Sequence, residues 1–310
     1  MTDSDTSGHN PGATAGYGIR PPGYRLPDAT RIGRVRLQIG DLARSLAYYE
    51  QVLGFRVLDR SAGRATLGAH GNDAPLIELH EAAGAAPVPP TGRLGLYHFA
   101  ILLPSRAALG RFIARIGQLD VEVGASDHLV SEAVYLHDPD GLGVEIYADR
   151  PRASWARHGG QIVMGTRPLD VPDLARASNG EVWTGMPAGT TVGHVHLHVG
   201  NIDQATAFFH TALGLDAVVW SYPGALFLSA GGYHHHLGVN SWPGTRAKRP
   251  GDGDARLLEW EIVVPRGDAT EAAARSMEAA GHAVVRDNTG WTIADPWGTV
   301  LRVAIAELNE

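Results

Sequence analysis

The stretch Gly40–Phe55, GDLARSLAYYEQVLGF, is repeated in pattern by Gly200–Leu215, GNIDQATAFFHTALGL, with no gap between the two copies' matching positions. Each copy follows a strand in which apolar residues alternate, VRLQI before the first and VHLHV before the second. Each then carries apolar residues at helical spacing and ends in Leu-Gly, and glycine is a common helix stop. Short strand-like runs follow both copies. The repeated unit is therefore predicted to be a strand, a helix and three more strands, written βαβββ.

A second pair of segments has the same order of elements. LYHFAILLPSRAALGRFI (96–113) leads to YLHDPDGLGVEIYA (135–148), and LLEWEIVVPRGDATEAAA (257–274) leads to TIADPWGTVLRVAI (292–305). Each opens with a strand closed by proline, continues as a helix and reaches Asp-Pro-x-Gly, which predicts a tight turn into a strand. The chain is thus predicted to contain four modules, near residues 30–82, 92–150, 189–242 and 255–308.

These modules divide the chain and set its class as α+β. The polar N-terminus, rich in Gly, Pro, Ser and Thr, is predicted to be a flexible or surface-draped arm. The apolar linker between the halves, with a predicted short helix at Pro172–Ala177, is expected to pack on the core. The segments are the arm 1–29, the first two modules 30–150, the linker 151–188 and the last two modules 189–310.

Composition narrows the class of protein. The 310 residues are 44 % hydrophobic and 19 % charged, as in globular chains. The net charge of -7 argues against nucleic-acid binding, which normally needs a basic surface. The chain has no cysteine, so thiolate metal sites and a cysteine nucleophile are excluded. No signal peptide or membrane-spanning run is visible, so we expect a cytoplasmic protein with no membrane partner.

Comparison of equivalent positions in the modules predicts where a metal would bind. His98 and His194 occupy matching places in the first strands of modules 2 and 3, where modules 1 and 4 carry Arg34 and Glu259. Glu145 follows the Asp-Pro-x-Gly turn of module 2 in an otherwise apolar strand. Two histidines and one carboxylate form the ligand set typical of non-haem Fe(II) sites, which leaves three coordination positions open.

The other histidines support a metal-lined cleft. A single strand histidine is usually a core residue, but His194, His196 and His198 share one strand face. GGYHHHLGVN (231–240) adds three more, which we place in a late strand of the same module. So many imidazoles in an apolar setting need polar partners.

One longer motif is specific enough to indicate a family. His128-x5-Val134-Tyr135-x2-Asp138-Pro139-x-Gly141-x3-Glu145 resembles the signature of type I extradiol dioxygenases, with Ser126 as a departure two residues before the histidine. The chain from about 30 to 306 resembles the bacterial catechol-2,3-dioxygenase family of the vicinal oxygen chelate superfamily. The resemblance implies a vicinal oxygen chelate, or glyoxalase-like, fold in which the modules form two U-shaped half-barrel sheets.

The same resemblance implies a reaction and its residues. Fe(II), or alternatively Mn(II), would be held by His98, His194 and Glu145. An aromatic diol and O2 would be the substrates, and the ring would open beside the two hydroxyls. His235 would deprotonate the diol or stabilise reduced oxygen, His128 would supply a proton, and Tyr135 would donate to a substrate oxygen.

The ligand positions also predict how the modules pair. In the enzymes that the chain resembles, the ligands come from two adjacent modules of one half, whereas here they come from modules 2 and 3. These two modules must therefore pair across one metal, and modules 1 and 4 are expected to form a second pair without one. We expect a homo-oligomer, because this fold often assembles through sheet edges.

Two other functions remain as alternatives. A lyase or isomerase of the glyoxalase kind would need a fourth protein ligand, for which module 3 offers a histidine or Asn240. A metal-free small-molecule binding protein would not need His98, His194 and Glu145 together. His196, His198 and His137 are interpreted either as groups that orient the ligands or as polar lining, and the substituents of the diol are not specified by any residue.

Overall fold

The structure, a computed structural model, describes residues 17–306 and contains all four predicted modules. The predicted arm falls partly outside this range, at residues 1–16. Its described part packs against module 3: Leu26 is buried, and Arg25 forms an ion pair with Asp216 at 2.7 Å.

Modules 1 and 4 form one eight-stranded sheet. Module 1 consists of β1 (Arg31–Ile39), α1 (Leu42–Tyr48) continued by a π-helical turn (Tyr49–Leu53), β2 (Arg56–Ser61), β3 (Arg64–Gly68) and β4 (Ile77–Glu81). In module 4 the same order is β16 (Arg256–Val264), α5 (Gly267–Ala279), β17 (Val285–Asp287), β18 (Gly290–Ala294) and β19 (Val300–Ile305). The spatial order is β17-β18-β19-β16-β1-β4-β3-β2.

Modules 2 and 3 form most of the nine-stranded second sheet. Module 2 consists of β5 (Gly95–Leu102), α2 (Arg106–Leu119), β6 (Gly124–Asp127), β7 (Ser131–His137) and β8 (Gly143–Asp149). Module 3 consists of β12 (Thr191–His198), α4 (Ile202–Ala205) continued by a π-helical segment (Thr206–Ala212), β13 (Asp216–Val219), β14 (Ala225–Ser229) and β15 (Leu237–Asn240). With β11 (Arg167–Pro168) of the linker at one edge, the spatial order is β11-β6-β7-β8-β5-β12-β15-β14-β13.

The linker packs on this framework. Its elements are a 3₁₀ turn (Arg152–Ser154), β9 (Arg157–His158), β10 (Gln161–Ile162), β11 (Arg167–Pro168) and α3 (Val171–Arg176). Trp155, Ile162 and Leu174 are buried, and β11 adds an edge strand to β6. The short helix therefore lies one residue before its predicted place, and the linker becomes part of the second sheet.

The pairing of the modules agrees with the prediction from the ligand positions. In each sheet the first strands of two modules lie side by side and antiparallel, β1 with β16 and β5 with β12. Each sheet therefore takes one module from each half of the sequence, 30–150 and 189–310. The result is an α+β fold of two curled half-barrel sheets.

Local sequence signals account for the ends of the repeated elements. Asp41 and Asn201 cap the first helices of modules 1 and 3, and each side chain accepts a backbone N–H three residues later. Gly54 and Gly214 end these helices in the left-handed region, at φ 86° and 97°. Among the described residues, no helix has the length and apolar character that a bilayer crossing requires.

Candidate active site

The strand register of the second sheet brings the three predicted ligands to one point. Ala100 on β5 lies opposite Glu145 of β8 on one side and opposite His194 of β12 on the other. His98 is two residues before Ala100, so its side chain shares the same face of the sheet. Because Ala100 carries only a methyl group, the space between the three larger side chains stays open.

The distances fit a metal centre. Glu145 Oε2 lies 3.0 Å from His98 Nε2 and 3.1 Å from His194 Nε2. One ligand atom from each of the three residues lies within 4.8 Å of the others, and all three side chains are buried. His194 Nε2 is hydrogen-bonded to Glu145, whereas His98 Nε2 has no hydrogen-bond partner among the described residues. A buried imidazole nitrogen that is directed at a carboxylate without a hydrogen bond is suited to binding a cation.

The electrostatics favour the protonation states that a metal requires. Burial would raise the pKa of Glu145, but His194 and His98 hold it well below its usual value. Burial lowers the pKa of His194 to about 4, against the opposing effect of Glu145. The group therefore consists of an ionised carboxylate and a neutral His194 imidazole, the forms in which these side chains bind metals.

A cavity of about 210 Å³ opens onto these ligands. Its volume suits a small ligand rather than a large one. Aromatic rings and imidazoles dominate its wall, which also takes three residues from the linker. The lining residues beyond the three ligands are Tyr97, Ser126, His128, Ser131, Tyr135, Met164, Gly165, Thr166, His196, Tyr222, Phe227, His235 and Trp242.

His128 and Tyr135 form a hydrogen-bonded pair in this wall. His128 Nδ1 lies 2.7 Å from the carbonyl oxygen of Gly165, and its Nε2 lies 2.6 Å from Tyr135 Oη. A carbonyl only accepts, so Nδ1 carries the hydrogen and Tyr135 donates its hydroxyl hydrogen to the bare Nε2 of the neutral ring. Burial, with Glu145 beside it, raises the pKa of Tyr135 well above its usual value, so the phenol stays protonated.

The three consecutive histidines face three different partners. His235 lines the cavity, with its ring centroid 4.0 Å from that of His194. His234 points to Asp149, with its Nε2 2.8 Å from Oδ1. His236 accepts a hydrogen bond at Nδ1 from the backbone N–H of Ala230, at 3.2 Å. The structure thus selects His235 as the member that faces the cleft.

These histidines precede a strand and do not lie within one, which corrects the prediction from the sequence. β15 begins only at Leu237. Gly231 and Gly232 adopt left-handed backbone angles, φ 60° and 69°, and turn the chain after β14. Because the segment is a loop, successive side chains do not alternate between two faces, and each histidine finds its own partner.

The remaining predicted histidines separate into two groups. His196 lines the cavity and His198 lies beside it, and Asn240 bridges them: its Nδ2 is 3.0 Å from His196 Nε2, and its Oδ1 accepts from His198 Nδ1 at 2.7 Å. His137 is exposed at the end of β7 and does not line the cavity. It is therefore neither a lining residue nor a group that orients the ligands.

The alternation of side chains along β5 does not predict one residue of the cavity wall, Tyr97. Alternation would direct it away from the face of its neighbour His98. The register of β5 on β12 pairs His98 with His196 and Leu96 with Leu197, which leaves Tyr97 as an extra, bulged residue. The bulge re-aims its side chain, and its ring lies 4.8 Å from that of His98 and 5.7 Å from that of Trp242.

Most other missed wall residues lie in loops or in the linker, where no periodic pattern marks them. Met164, Gly165 and Thr166 reach the cavity from the linker. The linker's apolar character is the sequence signal for its packing, but it does not indicate which residues face the cleft.

The equivalent place in the first sheet holds a cluster of charges. Arg34 and Glu78, which match His98 and Glu145 by register, form an ion pair at 2.9 Å. Arg36 binds the same carboxylate at 2.7 Å and lies 3.4 Å from Glu259, the counterpart of His194. Guanidinium groups stay protonated and do not bind metals, so this sheet carries ion pairs where the second carries the three predicted ligands.

Comparisons with known proteins agree with this geometry. Residues 31–146 match the family model described as Glyoxalase/Bleomycin resistance protein/Dioxygenase superfamily. The chain is 42 % identical over 274 residues to "Catechol-2,3-dioxygenase" of Bacillus subtilis (strain 168), covering 87 % of this chain and 95 % of that protein.

Two solved structures share the fold at low sequence identity. One is a protein of Bacillus subtilis subsp. subtilis str. 168 described as a candidate dioxygenase, with TM-score 0.63 and 16 % identity over 91 % of this chain and 86 % of that one. The other is glyoxalase I from Zea mays, with TM-score 0.54 and 18 % identity over 89 % of this chain and 92 % of that one.

Proposed function

Because the chain belongs to the catechol-2,3-dioxygenase family, within the glyoxalase/bleomycin resistance protein/dioxygenase superfamily, we propose that it cleaves a catechol by extradiol ring opening. Both atoms of O2 would enter the product, and the ring would open beside the two hydroxyls. Fe(II) is the proposed metal, with Mn(II) as the alternative. The homo-oligomeric state and the cytoplasmic location remain predictions from the sequence.

The observation that carries this proposal is the group His98, Glu145 and His194 beside a small aromatic-walled cavity. Three protein ligands on one face leave open positions for two diol oxygens and for O2. When bound, the metal supplies the electronic link between the diol and O2. The protein holds the diol among the side chains of Tyr97, Phe227 and Trp242.

The side chains around the ligands supply proton transfer. His235, next to His194, is placed to take a proton from a bound hydroxyl. Tyr135 is held protonated, and when the diol binds it can turn its hydrogen from His128 Nε2 to a substrate oxygen. His128 Nε2 is then free to take up a proton and to return it as the ring opens. Each of these steps is general acid–base work, for which histidine is the usual residue.

The part of the wall next to the ligands is buried and limits the access of water to the reacting atoms. Phe227 is 7 % exposed, and His196 and His235 are 4 % and 6 % exposed. A dry site strengthens each hydrogen bond to the substrate and limits side reactions with solvent.

One register position argues against the glyoxalase-type alternative. Gly238 on β15 lies opposite His196, as Glu145 lies opposite Ala100, so it occupies the place of a fourth ligand. Glycine has no donor atom, and a Cβ there would come within 2.9 Å of the His196 ring. Asn240 is engaged by His196 and His198, which supports a set of three ligands.

The direct test is a reaction of the full chain, loaded with Fe(II) without air, with catechol and labelled ¹⁸O2. We expect O2 consumption and a yellow ring-opened product that contains both labelled atoms. Isomerisation of a glyoxalase substrate without O2 consumption would support the alternative. Catechol binding without bound metal or O2 uptake would indicate a binding protein instead.

A further inference from the structure

A chain of short contacts runs from the cavity to the surface. Asp149 Oδ1 lies 2.8 Å from His234 Nε2, and His234 Nδ1 lies 2.7 Å from His235 Nδ1. His235 lines the cavity, whereas the Asp149 side chain is 25 % exposed. The chain thus joins a proposed catalytic residue to solvent through one intermediate histidine.

With an ionised Asp149 and a neutral His234, hydrogen-bond chemistry fixes the direction of this chain. An ionised carboxylate only accepts, so His234 carries its hydrogen on Nε2. A neutral imidazole has one bare nitrogen, so His234 Nδ1 accepts. The nitrogen 2.7 Å away must then donate, which places the hydrogen of His235 on Nδ1 and leaves its Nε2 bare.

We propose that Asp149 and His234 are positioning residues that hold His235 with a bare Nε2 in the cavity. His235 then accepts a hydroxyl proton from the diol. Only after Nε2 has received that proton can His235 donate a hydrogen bond to reduced oxygen. This consequence rests on the proposed function, but the tautomer itself does not.

The proton has a defined destination. When the diol oxygen gives its proton to His235 Nε2, the hydrogen on His235 Nδ1 passes to His234 Nδ1. His235 is again neutral, now with hydrogen on Nε2, and the positive charge lies on His234 beside the Asp149 carboxylate. No net positive charge is left on the ring that touches His194, and no further reactant is needed.

A second arm of hydrogen bonds fixes the Asp149 carboxylate. Tyr233 donates to Asp149 Oδ1 at 3.3 Å, and the hydroxyl of Tyr147 lies 2.6 Å from that of Tyr233. Because Tyr233 uses its hydrogen on Asp149, Tyr147 is the donor to Tyr233. Both arms therefore end on the same acceptor, and removal of the Tyr233 hydroxyl leaves the histidine arm in place.

The test is ¹⁵N NMR of the histidine side chains in the full chain loaded with diamagnetic Zn(II). The His235 signals are assigned by their loss in His235→Gln. We expect a protonated Nδ1 and a bare Nε2 in the unchanged protein and in the matched control Tyr233→Phe. Asp149→Leu removes the acceptor, and we expect the preference for hydrogen on Nδ1 to be lost.

Turnover gives a second readout in the Fe(II)-loaded protein. In Asp149→Leu we expect kcat to fall by roughly 10-fold or more with little change in the KM for catechol, because proton acceptance and not diol binding is impaired. A His235 with hydrogen on Nε2 in the unchanged protein overturns the inference without any variant. An unchanged tautomer in folded Asp149→Leu overturns the role of Asp149. Failure to cleave catechol with the expected tautomer present would overturn the proposed function only.

Discussion

At the scale of single residues, we predict that His128 returns a proton to the substrate and is not required to hold the metal. His128 forms hydrogen bonds with Tyr135 and Gly165, and it forms none with the three predicted ligands. His128→Gln should therefore keep its iron but lose turnover by roughly 10²-fold, the effect of one acid–base group. Metal analysis and steady-state rates check this, with exposed His137→Gln as the control. Unchanged turnover in His128→Gln would remove His128 from the mechanism.

The donor atoms of His98, Glu145 and His194 predict sensitivity to air. The set leaves the metal with open positions and contains no thiolate. We expect protein kept in air to lose activity and to regain it with Fe(II) and a reductant, and we expect a chelator to remove activity. The measurement is the rate before and after each treatment. Activity that is indifferent to both chelator and reductant would contradict an iron site.

At the scale of elements, Gly193 is required where β12 bulges beside the ligands. It is the extra residue between Val192 and His194 in the pairing with β5. A Cβ at this place would lie 1.8 Å from Tyr147 Oη. Gly193→Ala should lower the free energy of unfolding by about 1–3 kcal/mol through overpacking.

Denaturant unfolding measures this effect, and Gly117→Ala is the control. Gly117 lies in helix α2, and a Cβ there meets no atom within 4 Å. Alanine at Gly117 should stabilise by up to about 1 kcal/mol, because glycine is a poor helix former. Equal stability of Gly193→Ala and the unchanged protein would mean that the bulge is not tightly packed.

The two Asp-Pro-x-Gly turns predict a pH dependence. Asp138 Oδ1 accepts hydrogen bonds from the backbone N–H groups of Asp140 and Leu142. In module 4, Asp295 Oδ1 accepts them from Trp297 and Thr299. Burial raises the pKa of Asp138 to about 7 and that of Asp295 to about 6. The folded state therefore binds a proton that the unfolded state releases near pH 4.

The direction of the pH dependence follows from this difference in pKa between the folded and unfolded states. The stability that the bound proton contributes is fully present below about pH 4 and is lost as the pH rises through the folded pKa. Asp138→Asn should therefore gain stability relative to the unchanged protein between about pH 4 and 7, by at most about 1.4 kcal/mol per pH unit. The stability gain of Asp295→Asn over the unchanged protein should end near pH 6. A stability difference that is constant from pH 4 to 8 would contradict the buried proton.

Local patterns predict most of these elements from the sequence, because caps and turns act within a few residues. Gly54, Gly214 and the Asp-Pro-x-Gly turns lie at the ends that their chemistry predicts. The loop position of His234–His236 and the bulge at Tyr97 are not predicted. The loop follows from the left-handed turn at Gly231 and Gly232, whereas the bulge depends on how β5 of module 2 pairs with β12 of module 3. A bulge shifts side chains between faces without changing the composition of the strand.

At the scale of the whole molecule, internal comparison predicts the ligand positions and the pairing of modules. His98, His194 and Glu145 match positions that are charged in the other modules, and the structure brings these three together. The register at Ala100 explains why the three side chains meet. It could not be predicted from the sequence, because it depends on the pairing of β5 with both β8 and β12. The wall residues from the linker, Met164, Gly165 and Thr166, are not predicted, because no periodic pattern marks which linker residues face the cavity.

The central claim is that one iron is held between modules 2 and 3 and that the equivalent place between modules 1 and 4 holds ion pairs instead. Iron per folded chain, measured in the unchanged protein and in single variants, tests it most directly. We predict one iron in the unchanged protein, in Arg34→Ala and in Glu259→Ala, and essentially none in His194→Ala. Iron retained by His194→Ala, or lost from Glu259→Ala, would contradict the account.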